Sequence, residues 1–284
     1  MKLEEIIVMA PQGIGNLHFL PVVLGCFAII AFFTAYGMSV KRGDVRAVWP
    51  YISDAGSRAP ESCIFGQFLN MAAVIAFVVM YIHYRHVRES NVTDMPIISN
   101  LNYWSLWIAA FTCLGLSMVA NFQVNGSEEE ETNSLPTHLT GAIMVFGLGT
   151  LYCWMQAFIS HLMRNQATSS ALSSCTRFIL SALISVFFII TLAAGGAASV
   201  AYKEQHKNMS DMAAELKWNK TDDGYNAHLA STFSEWLMSI CFLLYFLTYF
   251  REFQKIIVII QVQPKNAEIF SSGQSHHDEA RIVV

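Results

Sequence analysis

RFILSALISVFFIITLAAGGAASVAYK, residues 177–203, decides how this chain folds. Between Arg177 and Lys203 it runs for 25 residues without an Asp, Glu, Lys or Arg. About 20 apolar residues suffice to cross a hydrocarbon core as a helix. Buried core helices of soluble proteins are shorter and keep a polar face. The pattern recurs outward along the chain. Residues 6–40, 62–84, 95–127 and 132–163 lack those charges, and 224–250 contain only Glu235. The six stretches predict transmembrane helices near 17–40, 63–84, 101–123, 138–161, 177–201 and 228–250. In lipid the backbone must satisfy itself within the segment, so such runs become helices. The expected fold is all-α, one six-transmembrane-helix bundle. It comprises a cytosolic N-terminus (1–16), a membrane domain (17–257) and a flexible cytosolic C-terminal tail (258–284).

Composition agrees. The chain is 54% apolar and 13% charged, against about 25% charged in globular domains, and its mean hydropathy is +0.41. The opening MKLEE is mixed in sign, and the apolar run after it continues too far for a cleaved signal, so it reads as a retained anchor. Cys26, Cys113, Cys153 and Cys241 fall in apolar spans, where cysteine behaves as a small hydrophobe. Cys63 lacks an obvious loop partner, and Cys175 is either structural or an acylation site. No disulfide framework is expected. Basic residues are scattered, which excludes a nucleic-acid interface. G-x-S-x-G, Walker and H-E-x-x-H motifs are absent, so no catalytic residue, metal or cofactor is expected.

An even number of spans places both termini on one side. Nine basic residues fall on that side and eight on the other, so the positive-inside rule does not orient the chain. Glycosylation sequons lean one way. Asn125, Asn208 and Asn219 lie on the far side, and only Asn91 lies on the terminal side. Since sequons are used only in the lumen or outside the cell, both termini are expected in the cytosol.

The connection between the first two spans, Trp49–Asn70, reads WPYISDAGSRAPESCIFGQFLN. Ala59-Pro60-Glu61 fits a helix start with an acid at the positive end of the dipole, and Asp54-Ala55-Gly56 reads as a turn. Trp49 and Tyr51 are either interfacial anchors or part of a shaped loop. Glu235 is the only acid inside a predicted span, and such a residue is a functional candidate by default. At helical spacing it shares a face with His228, Ser231 and Ser239. Its plain role is a hydrogen bond between helices; its functional role is a polar pocket for an ion or a lipid headgroup. Asp54, Glu61, Asn121, Gln123, His138, His228 and Glu235 all belong at the same membrane face, and form one candidate outer-face cluster. Glu128–Glu131 reads as a solvated charge run, and residues 208–217 as a short loop helix.

The loop motif resembles the first-loop signature of the Frag1/DRAM/Sfk1 family, within it the damage-regulated autophagy modulator branch. Trp49, Pro50, Tyr51, Ile52, Ser53, Asp54, Gly56, Pro60, Glu61, Phe65, Gly66 and Asn70 carry the likeness. It continues through Tyr81–Arg85, Val119–Gln123, His138–Ala142, Leu216–Asn219, Ser234–Trp236 and Phe246–Gln254, over roughly residues 17–257. The resemblance implies a six-span protein of lysosomal or endosomal membranes that promotes autophagy, without established catalytic residues. Members of the wider family are linked to membrane lipid rather than to one reaction.

Three functions follow as expectations. The first is a non-enzymatic regulator or adaptor that works through membrane lipids and cytosolic or membrane protein partners. The second is a lipid-handling or phosphoinositide-kinase-organising protein with an outer-leaflet headgroup pocket. The third is a channel or channel-associated subunit, against which the apolar inner halves of the spans argue. The plasma membrane is the alternative location.

Overall fold

The computed structural model describes residues 13–124, 134–166, 171–206 and 217–259. Among the described residues, six helices are long and apolar enough to cross a membrane. The first span is α1 (Phe19–Arg42). After a single-turn helix, α2 (Ile52–Ala55), come the second span, α3 (Glu61–Ser90), and the third, α4 (Pro96–Asn121). The fourth consists of α5 (Leu135–Ile143), a π-helical turn (Met144–Leu148) and α6 (Gly149–Leu162). The fifth is α7 (Ala171–Gln205), and the sixth is α8 (Tyr225–Leu247), extended by the short α9 (Phe250–Phe253). This is the six-span all-α bundle that the charge-free windows predict.

Consecutive spans pack side by side, and the sixth closes back on the first. Small residues set the approach distances, as expected where lipid competes equally for every apolar side chain. On α1 the buried residues are Pro21, Leu24, Gly25, Ala28, Ala31, Ala35 and Ser39, a mostly small stripe at helical spacing. Ile29, Ile30 and Phe33 on its other faces are exposed, and so face lipid. Between α4 and α5 the backbones nearly touch. A methyl at Gly115 would lie 2.8 Å from the Gly141 carbonyl, and one at Gly141 would lie 2.9 Å from the Gly115 carbonyl.

The second and fifth helices outrun their charge-free windows: the second continues to Ser90 and the fifth runs from Ala171 to Gln205. Charge marks where lipid ends, not where helix ends: Arg85 and Glu89 continue α3 as an i,i+4 pair, 3.5 Å apart. Gly13–Ile14 pairs antiparallel with Val258–Ile259, which brings the segments flanking the bundle together at one end. All six cysteines are free thiols. The acidic run, the loop segment 208–216, Asn125 and Asn208 lie outside the described residues.

Candidate functional site

The first connecting loop lies across the end of the bundle, opposite the paired flanking segments, and is strapped onto α8. Three consecutive residues make the strap. The Pro50 carbonyl accepts a hydrogen bond from Trp236 Nε1 at 2.9 Å. The Tyr51 hydroxyl donates to Ser231 Oγ at 2.7 Å, and Ser231 Oγ donates to the Thr191 carbonyl on α7 at 2.8 Å. The Ile52 N–H donates to Glu235 Oε2 at 2.8 Å. That last bond explains why Ile52–Ala55 is a helical turn and not the plain turn expected at Asp54–Gly56. The carboxylate of a different helix supplies the acceptor that a free N-terminal N–H requires. Burial pushes the Tyr51 phenol well above its ordinary pKa, so it stays protonated and can donate.

The rest of the motif fastens the loop and the two helices after it. Trp49 adopts a left-handed φ of 34°, with its indole against Phe233 and Trp236. Ser53 faces a central cavity. The Asp54 carbonyl accepts from Ser57 Oγ at 2.8 Å. Gly56 lies so close to the Phe65 ring that a methyl there would sit 2.5 Å from it. Pro60 precedes α3 and Glu61 begins it. Glu61 is fully buried and 3.1 Å from Arg42 Nε, which also pairs with Asp44 at 3.0 Å; Arg58 holds the other Asp44 oxygen at 3.1 Å. Burial opposes ionisation of Asp44, but hydrogen bonds from Arg42 and Arg58 outweigh it and hold the carboxyl below its ordinary pKa. A methyl on Gly66 would lie 2.8 Å from the Ala120 carbonyl. Asn70 Nδ2 donates to Asn121 Oδ1 at 2.9 Å, and Asn70 Oδ1 accepts from Ser117 at 2.7 Å, which clamps α3 to α4.

The seven outer-face candidates therefore share one end of the bundle but not one pocket. Glu235 and His138 line a central apolar cavity of about 130 Å³, bounded by every span except the fifth. Asp54 and His228 line a separate polar recess with Arg46, Trp218 and Lys220. The His228 ring stacks on Trp218, with centroids 4.3 Å apart, and meets Tyr51 edge-on. Asn121 belongs to the α3–α4 clamp. Gln123 Nε2 donates to the Ala120 and Ser62 carbonyls at 2.8 and 3.3 Å. His138 Nδ1 bonds the Phe122 carbonyl at 2.8 Å. Among the described residues, no group of three or more His, Cys, Asp or Glu side chains converges on a point.

A second polar centre, at the other end of the bundle, is not apparent from the sequence. Arg177, 1% exposed, stands 4.5 Å over the Tyr249 ring. Its Nη2 donates to Glu252 Oε2 at 2.9 Å, its Nε to Thr248 at 2.9 Å and its Nη1 to Ser160. Glu252 Oε2 is 3.7 Å from His83 Nδ1. His83 Nε2 shares a hydrogen bond with Gln156 Oε1 at 3.1 Å, and Gln156 Nε2 donates to Ser105 at 2.8 Å. Five spans meet in this network. Arg177 borders a 25-residue charge-free run, and Thr248 and Glu252 are four positions apart. Those were the available signals, but nothing in the sequence shows that the side chains turn inward.

Comparison with known proteins follows this architecture. Residues 16–256 match the family model described as the Frag1/DRAM/Sfk1/Cwh43P N-terminal domain. DNA damage-regulated autophagy modulator protein 2 of Homo sapiens is 34% identical over 259 residues, 91% of this chain and 92% of the relative. Its Bos taurus counterpart is 35% identical over 87% of both chains. DNA damage-regulated autophagy modulator protein 1 of Homo sapiens is 30% identical over 87% of this chain and 95% of the relative. No solved structure matches the chain. The matched segment takes in the strapped loop, all six spans and both polar centres, and the chain belongs to the Frag1/DRAM/Sfk1 family.

Proposed function

We propose that this multi-pass membrane protein is a non-enzymatic regulator or adaptor of autophagy, acting at lysosomal or endosomal membranes with both termini in the cytosol. The observation that carries the reading is likeness along nearly the whole chain to relatives named autophagy modulators, 91% of this chain in one case. The geometry supports it. Two acids at the outer face hold structure through one oxygen each: Glu235 Oε2 caps the strapped loop and Glu61 Oε1 pairs with Arg42. On this reading the cytosolic loops and tail engage protein partners, and the bundle sits among membrane lipids.

The orientation fits the two described sequons. Asn219 is exposed on the strapped-loop side, with Oδ1 accepting from Arg46 at 2.7 Å. Asn91, at the other end, is buried and committed. Its Nδ2 donates to the Met95 carbonyl and Ser99, and its Oδ1 accepts from the Met95 N–H, so a glycan there would break the bonds that hold the turn between α3 and α4. The test is autophagic flux and live imaging in cells from which the chain has been removed and restored. Flux that falls on removal and recovers with a lysosome-resident chain supports the proposal. Unchanged flux, or residence at the plasma membrane, sinks it.

A further inference from the structure

The central cavity runs lengthwise through the bundle. Its lining extends from Glu235 to Phe246 on α8 and from Phe65 to Met80 on α3. By helical rise these are about 16 and 22 Å, roughly half to three quarters of a hydrocarbon core about 30 Å thick. Between those ends the walls are mostly apolar, with Thr112, Tyr152 and Ser239 among them: small residues such as Ala72 and Ala76 stand on one side, Phe146 and Phe242 on another. The π-helical turn in the fourth span places Val145 and Phe146 in the wall, and such turns often mark functional positions. At the outer end stands Glu235, 8% exposed. Its Oε2 holds Ile52, while Oε1 accepts no hydrogen bond from any described residue. No Lys or Arg lines the cavity.

We propose that this cavity is a lipid-binding slot. It takes one straight hydrocarbon chain whose polar end carries a hydrogen-bond donor (a hydroxyl, amide N–H or amine) that reaches Glu235 Oε1. A dry apolar cavity holds apolar matter and not water, and lipid chains are the apolar matter at hand. A volume of about 130 Å³ spread along that length is narrow, so it admits a single chain and not a fused-ring body. With no Lys or Arg in its lining, the slot offers no partner to a fatty-acid carboxylate or a bare phosphate end.

The test is photolabelling of the purified full-length chain in nanodiscs with a clickable, diazirine-bearing hexadecanol. Labelled residues are mapped by mass spectrometry. Label on Ala72, Met80, Thr112 or Phe242 that excess unlabelled hexadecanol removes supports the slot. Ala76→Phe should abolish that label. Glu235→Ala should weaken competition about tenfold, the worth of one good hydrogen bond, and leave a donor-free hexadecane probe unaffected. The same diazirine chain on a monoacylglycerol and on phosphatidylethanolamine tells a single-chain ligand from one chain of a two-chain lipid. Label confined to lipid-facing Val74, Phe77 and Ile240, or a sterol probe labelling the cavity in preference, overturns the proposal. Mapping on the unmutated chain decides this even if both variants misfold.

Discussion

Glu235 shows how a single residue can be flagged correctly for a reason the sequence does not contain. An acid in an apolar span is conspicuous, but its partner lies 183 positions away on the first loop, as a backbone N–H. Removing the carboxyl leaves that buried donor unsatisfied, which costs about 1–3 kcal/mol. Glu235→Ala should therefore lower the thermal midpoint of the detergent-purified chain by several degrees, while Glu235→Gln, which keeps an acceptor, should melt near wild type. Equal melting of the two variants would show that the cap contributes nothing. The motif residues tell the same story. Trp49, Pro50, Tyr51 and Ile52 are informative as a sequence string because together they fasten the loop to Ser231, Phe233, Glu235 and Trp236 on α8.

At the scale of elements, spans are legible and their contacts are not. Charge-free windows locate all six helices, because lipid leaves the backbone no other choice. They miss some helix ends: α3 continues past Arg85 and Glu89 to Ser90, and α7 starts at Ala171, before Arg177. They also hide the Arg177–Glu252 centre, because an Arg at the edge of a window looks the same whether it faces inward or outward. The energetic consequence is testable. Removing one partner of a buried pair strands the other, at about 3–5 kcal/mol. Arg177→Met should sharply reduce the folded yield, and Arg177→Met with Glu252→Gln should recover much of it. A double variant as damaged as the sum of its singles would mean that the pair is not coupled. The α4–α5 contact makes a steric prediction. Gly115→Val or Gly141→Val must push apart two backbones, because the first side-chain carbon would lie 2.8 or 2.9 Å from the facing carbonyl. Either should cost stability far more than Gly15→Val, where the added group meets open space. Comparable melting of all three would contradict the close packing.

For the whole molecule, the seven outer-face candidates were legible as a depth but not as a site. Membrane depth follows from position along a span, whereas sharing a pocket depends on which way each helix is turned. The structure splits them between a central apolar cavity, a polar recess and the seams between helices. Topology can be checked independently of any of this. Asn219→Gln should remove a glycosidase-sensitive mass increment from the chain expressed in cells, and Asn91→Gln should remove none. The reverse result would invert the bundle in its membrane.

The claim that the buried acids hold this molecule together, and do no chemistry, is tested most directly by autophagic flux in cells lacking the chain, rescued with Glu235→Gln at matched level and location. The predicted result is flux restored to the wild-type value, because the carboxamide still caps Ile52. Flux that stays at the level of the empty cells, with the variant folded and in place, would contradict it.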